Sequence, residues 1–324
     1  MKTPWIESPT VELNLELAPQ ERYAAIPDAL VRRGRALLNS VSEVIPAHVK
    51  PLAFAADMAT GNRFTLSAKA LAQRHDASFS DVMLANISYD LMINSLGCTT
   101  AVLPSPNGPV VARNMDWAPE DLLARASCLM RYQRNGKVAF THAGWPGSLG
   151  VVTGMSGNGF ALVVNAASAP DKPSLSAYPV LLFLRKVLED AANFDEALKM
   201  LRDQPLAASA MISLAGACND QRVVIERSPN RNALRWAEAG RPLVTTNHFR
   251  ALYPPPEDER VGCPRYSRAC ELLDGVDFSE EIDDTALLAG LSDERVIQTI
   301  TAQHVIMRPA LKQMRLFVPS RLLN

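Results

Sequence analysis

Apolar side chains occupy alternate positions in Val11-Glu12-Leu13-Asn14-Leu15-Glu16-Leu17, the period of a strand with one buried face. Pro19 and Pro27 interrupt the chain, and the period then changes. Over residues 29–44 the apolar positions recur at steps of three and four, which predicts an amphipathic helix. Further helical stretches are expected over 51–59 and 67–74. A fourth opens at Ser80-Asp81, read as the N-cap, and carries Val82, Met83, Leu84, Ile87, Leu91 and Met92.

From residue 96 the texture becomes that of short strands and tight turns. The runs 96–102 and 111–117 flank Pro104-Ser105-Pro106-Asn107-Gly108-Pro109 and read as a hairpin. The runs 127–132 and 138–142 flank Asn135-Gly136, a strong two-residue hairpin signal. Two more apolar runs surround the glycine-rich turn within 150–165. Helices are expected over 178–191 and 194–202, and strands over 209–214 and 221–226. A helix starts at Arg265, and 302–307 and 313–318 read as closing strands. A helical front followed by strands, helices and strands again indicates an α+β chain, with 1–97 and 98–324 as its two parts.

The chain of 324 residues is long enough for a large core, and 48% hydrophobic with 21% charged residues is a globular composition. A net charge of −1 argues against a nucleic-acid partner. Cys98, Cys128, Cys218, Cys263 and Cys270 are odd in number and unclustered, which suits a reducing compartment. The start MKTPWIESPT lacks a basic-then-apolar signal segment, and the expected location is the bacterial cytoplasm. The five histidines show no ligand spacing, so neither a metal nor a cofactor is expected. The turn Gly154-Met155-Ser156-Gly157-Asn158 misses a G-x-S-x-G elbow by one position and leads into a strand, which disfavours a phosphate cradle.

The candidate chemistry lies in the first hairpin, which returns Arg113 and Asp116 beside Cys98. A cation beside a thiol favours the thiolate, and a carboxylate orients an amine, so this trio suits a cysteine nucleophile. The alternative is an ordinary hairpin with a buried cysteine and a structural ion pair.

The stretches Gly97-Cys98-Thr99-Thr100-Ala101-Val102 and Ala112-Arg113-Asn114-Met115-Asp116-Trp117 resemble the start of the mature chain in the cysteine N-terminal-nucleophile hydrolases. That group includes the acid ceramidases, the N-acylethanolamine-hydrolysing acid amidases, the choloylglycine and penicillin V amidases, and the isopenicillin N acyltransferases. RNMDW and the upstream LANISYDL resemble the ceramidase and acid amidase branch. GCTT and the TTNHF of Thr245–Phe249 lean to the acyltransferases.

The resemblance implies a four-layer αββα sandwich made as a precursor. The chain would cut itself between Gly97 and Cys98, leaving residues 1–97 as a mainly helical prosegment and bound small subunit. Cys98 would be the nucleophile and its freed α-amine, which titrates at about 7.7–8.0 when unperturbed, the base. Asn165 and Asn247 occupy the family's oxyanion positions, by backbone and side chain respectively. A second site arginine is assigned to Arg265, with Arg260 and Arg268 close by. His248 suggests a papain-like Cys-His pair, but no papain-type stretch surrounds Cys98. The implied activity is hydrolysis of a linear N-acyl lipid amide through a thioester, with a small acyl amide as partner and weak contact with a membrane surface. The alternatives are acyl transfer to an amine or coenzyme A, and non-catalytic acyl-lipid binding.

Overall fold

The computed structural model describes residues 5–93, 96–174, 176–254 and 263–323. In chain order, β1 (Trp5–Glu7) and β2 (Thr10–Asn14) precede the helices α1 (Pro19–Ala24), α2 (Asp28–Val44), α3 (Pro51–Ala59), α4 (Thr65–His75), α5 (Phe79–Asn86) and α6 (Ser88–Met92). β3 (Gly97–Leu103), β4 (Val110–Asp116), α7 (Glu120–Ala126), β5 (Cys128–Arg134), β6 (Lys137–Gly144), β7 (Thr153–Ser156) and β8 (Phe160–Asn165) follow. α8 (Val180–Asp190) and α9 (Phe194–Asp203) lead into β9 (Ala210–Ala215), β10 (Arg222–Arg227), β11 (Asn232–Trp236) and β12 (Leu243–Thr245). Then come α10 (Pro264–Leu273), α11 (Asp284–Leu291), β13 (Thr301–Arg308) and β14 (Gln313–Pro319).

The described strands form two sheets, ordered β1-β14-β13-β4-β3-β12 and β11-β10-β9-β8-β7-β6-β5-β2. Their inner faces share a core that includes Val102, Val111, Val305 and Leu316 from the first sheet and Met155, Val163, Met211 and Val224 from the second. α10 and α11 cover the outer face of the first sheet, against Ala101, Ala112 and Ile306. α8 and α9 cover the second, against a larger core that also takes in Leu30, Leu71 and Val82 of the N-terminal helices. The layers are therefore αββα, as the resemblance implied. Strands buried on both faces, such as β8 and β9, read as nearly continuous apolar runs because neither side meets water.

The N-terminal part joins the sandwich more deeply than helical packing alone would give. β1 adds antiparallel to β14 at the edge of one sheet, and β2 adds parallel to β5 at the edge of the other. Ion pairs reinforce this, with Arg63 reaching Glu189 at 2.7 Å and Asp190 at 2.5 Å on α8.

Several boundaries differ from expectation. The strand expected over 11–17 ends at Asn14, where the Asn14 side chain accepts the Glu16 backbone N–H. The cap of α5 is Ser78 rather than Ser80, because Ser78 and Asp81 form a reciprocal capping box. The helix expected to continue through Met92 breaks at Ile87 into α5 and α6. β12, within 242–249, carries no strand expectation from the sequence. The Asn135-Gly136 turn has both residues at positive φ, 52° and 67°, the geometry the dipeptide predicts. α1, α7, α11, β1 and β11 were not anticipated.

Candidate active site

The β3–β4 ladder sets Cys98 opposite Met115, Thr100 opposite Arg113 and Gly97 opposite Asp116. Arg113 is thus the diagonal neighbour of Cys98 on one face, within reach of a long side chain. Its Nη2 donates to Cys98 Sγ at 2.8 Å and to the Val164 carbonyl at 3.2 Å, and its Nη1 donates to Thr153 Oγ1. The guanidinium therefore ties the sulfur to β7 and β8 of the facing sheet. Cys98 and Arg113 are both fully buried.

Asp116 lies three positions from Arg113, and strand alternation turns it to the other face. There its Oδ1 accepts from Thr301 Oγ1 at 2.6 Å, while Oδ2 is buried without a hydrogen-bond partner. Arg265 Nη1 stands 3.7 Å from Oδ2. Burial pushes the Asp116 carboxyl up, against the Thr301 hydroxyl and the Arg265 and Arg113 charges, which pull it down. A Cβ added to Gly97 would lie 3.1 Å from Asp116 Cβ and 3.4 Å from Oδ2, so glycine suits this crowded position.

The remaining contacts arrive from far along the chain. The Cys98 backbone N–H donates to Asn247 Oδ1 at 3.1 Å, and Arg265 Nη2 donates to the same oxygen at 2.8 Å. Asn247 Nδ2 donates to the carbonyls of Ala166 at 2.7 Å and Leu96 at 3.4 Å, which fixes the orientation of its amide. Arg265 Nη1 donates to the Cys98 carbonyl at 2.6 Å and meets Thr99 Oγ1 at 3.0 Å. β12 makes this convergence possible by pairing with β3 and delivering Asn247 two residues beyond its end.

Asn165 ends β8 and joins the two sheets. Its Oδ1 accepts from Thr100 Oγ1 at 2.8 Å, and its Nδ2 donates to the Thr245 carbonyl at 3.1 Å. Arg268 instead pairs with Asp293 and Glu271, and Arg260 lies outside the described residues. His248 is largely exposed, and partial loss of solvent around its ring together with the Arg265 and Arg250 charges lowers its pKa. Among the described residues no hydrogen bond joins it to Cys98. The structure thus gathers Gly97, Arg113, Asp116, Asn247 and Arg265 around Cys98, with Asn165 behind them. Thr153 and Thr301 went unrecognised, because a threonine in a β-run carries no signal of its own. Cys128, a second buried thiol, is pushed up to about 12 by burial.

The family described as acyl-coenzyme A:6-aminopenicillanic acid acyl-transferase matches residues 104–294. The N-acylethanolamine-hydrolyzing acid amidase of Caenorhabditis elegans is 25% identical over 247 residues, covering 70% of this chain and 68% of that protein. The acid ceramidase of Homo sapiens is 24% identical over 283 residues, covering 76% and 71%. The solved structure of the Caenorhabditis elegans N-acylethanolamine-hydrolyzing acid amidase ortholog superposes with a TM-score of 0.56 at 23% identity, over 66% of this chain and 93% of that one.

Proposed function

The chain belongs to the acyl-coenzyme A:6-aminopenicillanic acid acyl-transferase family of N-terminal-nucleophile hydrolases, and on that premise we propose that it is a self-processing cysteine amidase of linear N-acyl lipid amides. The observation that carries this reading is the convergence on one cysteine. Arg113 faces the sulfur, Asn247 holds the backbone nitrogen and Arg265 holds the carbonyl.

In the precursor, Cys98 Sγ attacks the Gly97 carbonyl carbon. The C–S bond forms, the Gly97–Cys98 C–N bond breaks, and the nitrogen gains a proton and becomes a free α-amine. Water then releases residues 1–97 from the thioester. In the mature enzyme that amine accepts the thiol proton, and the sulfur attacks the substrate amide carbon. The ammonium next protonates the departing amine, and water hydrolyses the acyl-enzyme.

Each neighbour has a part in this sequence. Arg113 presents a fixed cation to the sulfur, which stabilises a thiolate. Asp116 Oδ2, buried beside Gly97 with Arg265 3.7 Å away and no hydrogen bond of its own, is the acceptor for the new ammonium. Asn247 Nδ2 holds the Leu96 carbonyl in the uncut chain. When that segment leaves, one amide proton is open to the substrate oxyanion, so the substrate takes the place of the prosegment's tail.

The N-terminal part remains bound after cleavage, through its strands in both sheets and the Arg63 ion pairs. With the catalytic part it lines an apolar cavity among Leu37, Val41, Ala85, Met115, Trp117 and Trp145. Met115 is the ladder partner of Cys98, so this cavity suits an acyl chain whose carbonyl reaches the sulfur. Phe54 and Met58, one turn apart on α3, are 57% and 73% exposed and suit weak contact with a lipid surface. No helix among the described residues is long and apolar enough to cross a membrane. Five unpaired thiols suit a cytoplasmic setting.

The test is the mass of the purified protein together with its turnover of N-acylethanolamines of graded chain length. Two fragments meeting at Cys98 and release of free fatty acid are the expected results. An uncut chain that releases none under any processing condition would overturn the reading.

A further inference from the structure

We infer that Glu226 is a positioning residue for Asn247, an inference that rests on the oxyanion role proposed for Asn247 above. Glu226 is fully buried on β10. Its Oε2 accepts three consecutive backbone N–H groups, those of Arg250 at 3.0 Å, Ala251 at 2.8 Å and Leu252 at 2.8 Å. Its Oε1 accepts the Arg250 N–H at 3.0 Å and Arg235 Nε at 2.8 Å. Residues 250–252 belong to neither a helix nor a strand, so the carboxylate supplies what a ladder would otherwise supply. Three successive N–H groups turned towards one anion form a nest, here filled by a side chain of the protein itself.

The placement of this nest ties it to the site. Upstream of Asn247, Thr245 is held by its pairing with Thr100 of β3. Downstream, Arg250 is held by Glu226. Asn247 therefore lies in a short bridge anchored at both ends, one end on the strand that carries Cys98 and the other on the facing sheet. Arg235 strengthens the second anchor, since its Nη2 also approaches the Val244 carbonyl and Thr245 Oγ1, both at 3.4 Å. The same segment keys α10, because the Arg250 guanidinium packs 3.4 Å from the centre of the Tyr266 ring, next to Arg265. Loosening the 250–252 anchor therefore frees Asn247, whose Oδ1 accepts both the Cys98 N–H and Arg265, while Arg265 keeps its own contacts with the Cys98 carbonyl and Thr99. Displacement of a site group by about 1 Å costs on the order of 10²-fold in rate.

A carboxylate is required here, not merely a residue of that size. Glutamine offers one acceptor oxygen and turns an NH2 towards N–H donors, so Glu226→Gln preserves volume while breaking the nest.

The experiment is a double-mutant cycle on the full chain, with kcat and KM measured on an N-acylethanolamine for wild type, Glu226→Gln, Asn247→Ala and the double variant. Folding is checked by thermal melting, and the cycle is read on the rate of self-cleavage for any variant that is cut too slowly to give mature enzyme. Glu226→Gln is expected to lower kcat by about tenfold or more with KM within about twofold. Asn247→Ala should cost on the order of 10²–10³ in kcat. The double variant should match Asn247→Ala within about twofold, because Glu226 then has nothing to position. Fully additive losses, or an unchanged kcat in Glu226→Gln, would overturn the inference. Full activity in Asn247→Ala would instead overturn the oxyanion reading on which it rests. If Glu226→Gln does not fold, Glu226→Asp enters the same cycle. If neither folds, Glu226 stabilises the core only and the inference fails.

Discussion

Asp116 stands opposite Gly97 across the β3–β4 ladder, so its carboxylate lies beside the residue that precedes the nucleophile. One oxygen is held by Thr301 and the other is buried with no hydrogen-bond partner. An ammonium formed at Cys98 would supply the missing partner. Asp116→Asn keeps the shape and removes the charge, and should lower turnover on the order of 10²-fold, with self-cleavage slowed as well. His248→Gln should retain most activity, because His248 is exposed and not bonded to Cys98. Both variants are compared by gel for cleavage and by a fluorogenic acyl amide for turnover. A dead His248→Gln beside an active Asp116→Asn would reassign the base to the imidazole.

Cys98→Ala should leave one uncut chain that releases no fatty acid, since a single sulfur serves both cleavage and turnover. Arg113 would lose its contact with the sulfur but keep those with Thr153 and the Val164 carbonyl, so the variant should fold. Mass spectrometry of the purified variant decides the matter, and normal processing would remove Cys98 from the mechanism.

Asp90 offers a stability test away from the sulfur. Its Oδ1 accepts the Val180 N–H at the start of α8, while Oδ2 is buried without a partner. Burial raises the carboxyl from the usual 3.8 to about 7. Between those values the folded chain keeps a proton that the unfolded chain has released. Stability therefore falls as pH rises from about 4 to about 7 and stays at the lower level beyond. Asp90→Asn should raise Tm at pH 8 by a few degrees, at roughly 2–4 °C per kcal/mol, and change little near pH 4. An equal Tm shift at both pH values would show that the charge is not the cause.

His142 works in the opposite direction. Both ring nitrogens are buried without a hydrogen-bond partner, and the ring lies 5.9 Å from Tyr132 and 6.1 Å from Phe140. Burial lowers its pKa from 6.5 to about 3, helped by the charge of Arg185. Between those values the unfolded chain binds a proton that the folded chain refuses, so stability is lost as pH falls through that window. His142→Phe should narrow the drop in Tm between pH 7 and pH 4. A drop as steep as in wild type would place the acid sensitivity elsewhere, with His304, also lowered to about 3 by burial, as the next residue to change.

Much of this protein is determined locally. Alternation and turn chemistry place the β3–β4 and β5–β6 hairpins, and the offset between Cys98 and Arg113 follows from the turn between their strands. The same alternation puts Asp116 on the other face from Arg113. β11 and α11 were less legible, since β11 is an edge strand of half-exposed residues and α11 carries Gly290 in its last turn. Tertiary structure alone decided which distant groups reach Cys98. β12 is the chain neighbour of neither β3 nor β10, yet its place beside β3 brings Asn247 to the nucleophile, and on α10 Arg265 meets Cys98 and Asn247 while Arg268 meets Asp293. Thr301 meets Asp116 because β13 pairs with β4, and Glu226 meets residues 250–252 across the gap between the sheets. A strand's own sequence encodes its faces and its turns, because those depend on neighbours along the chain. It does not encode which strand will lie beside it, because that is settled by the burial of both sheets at once.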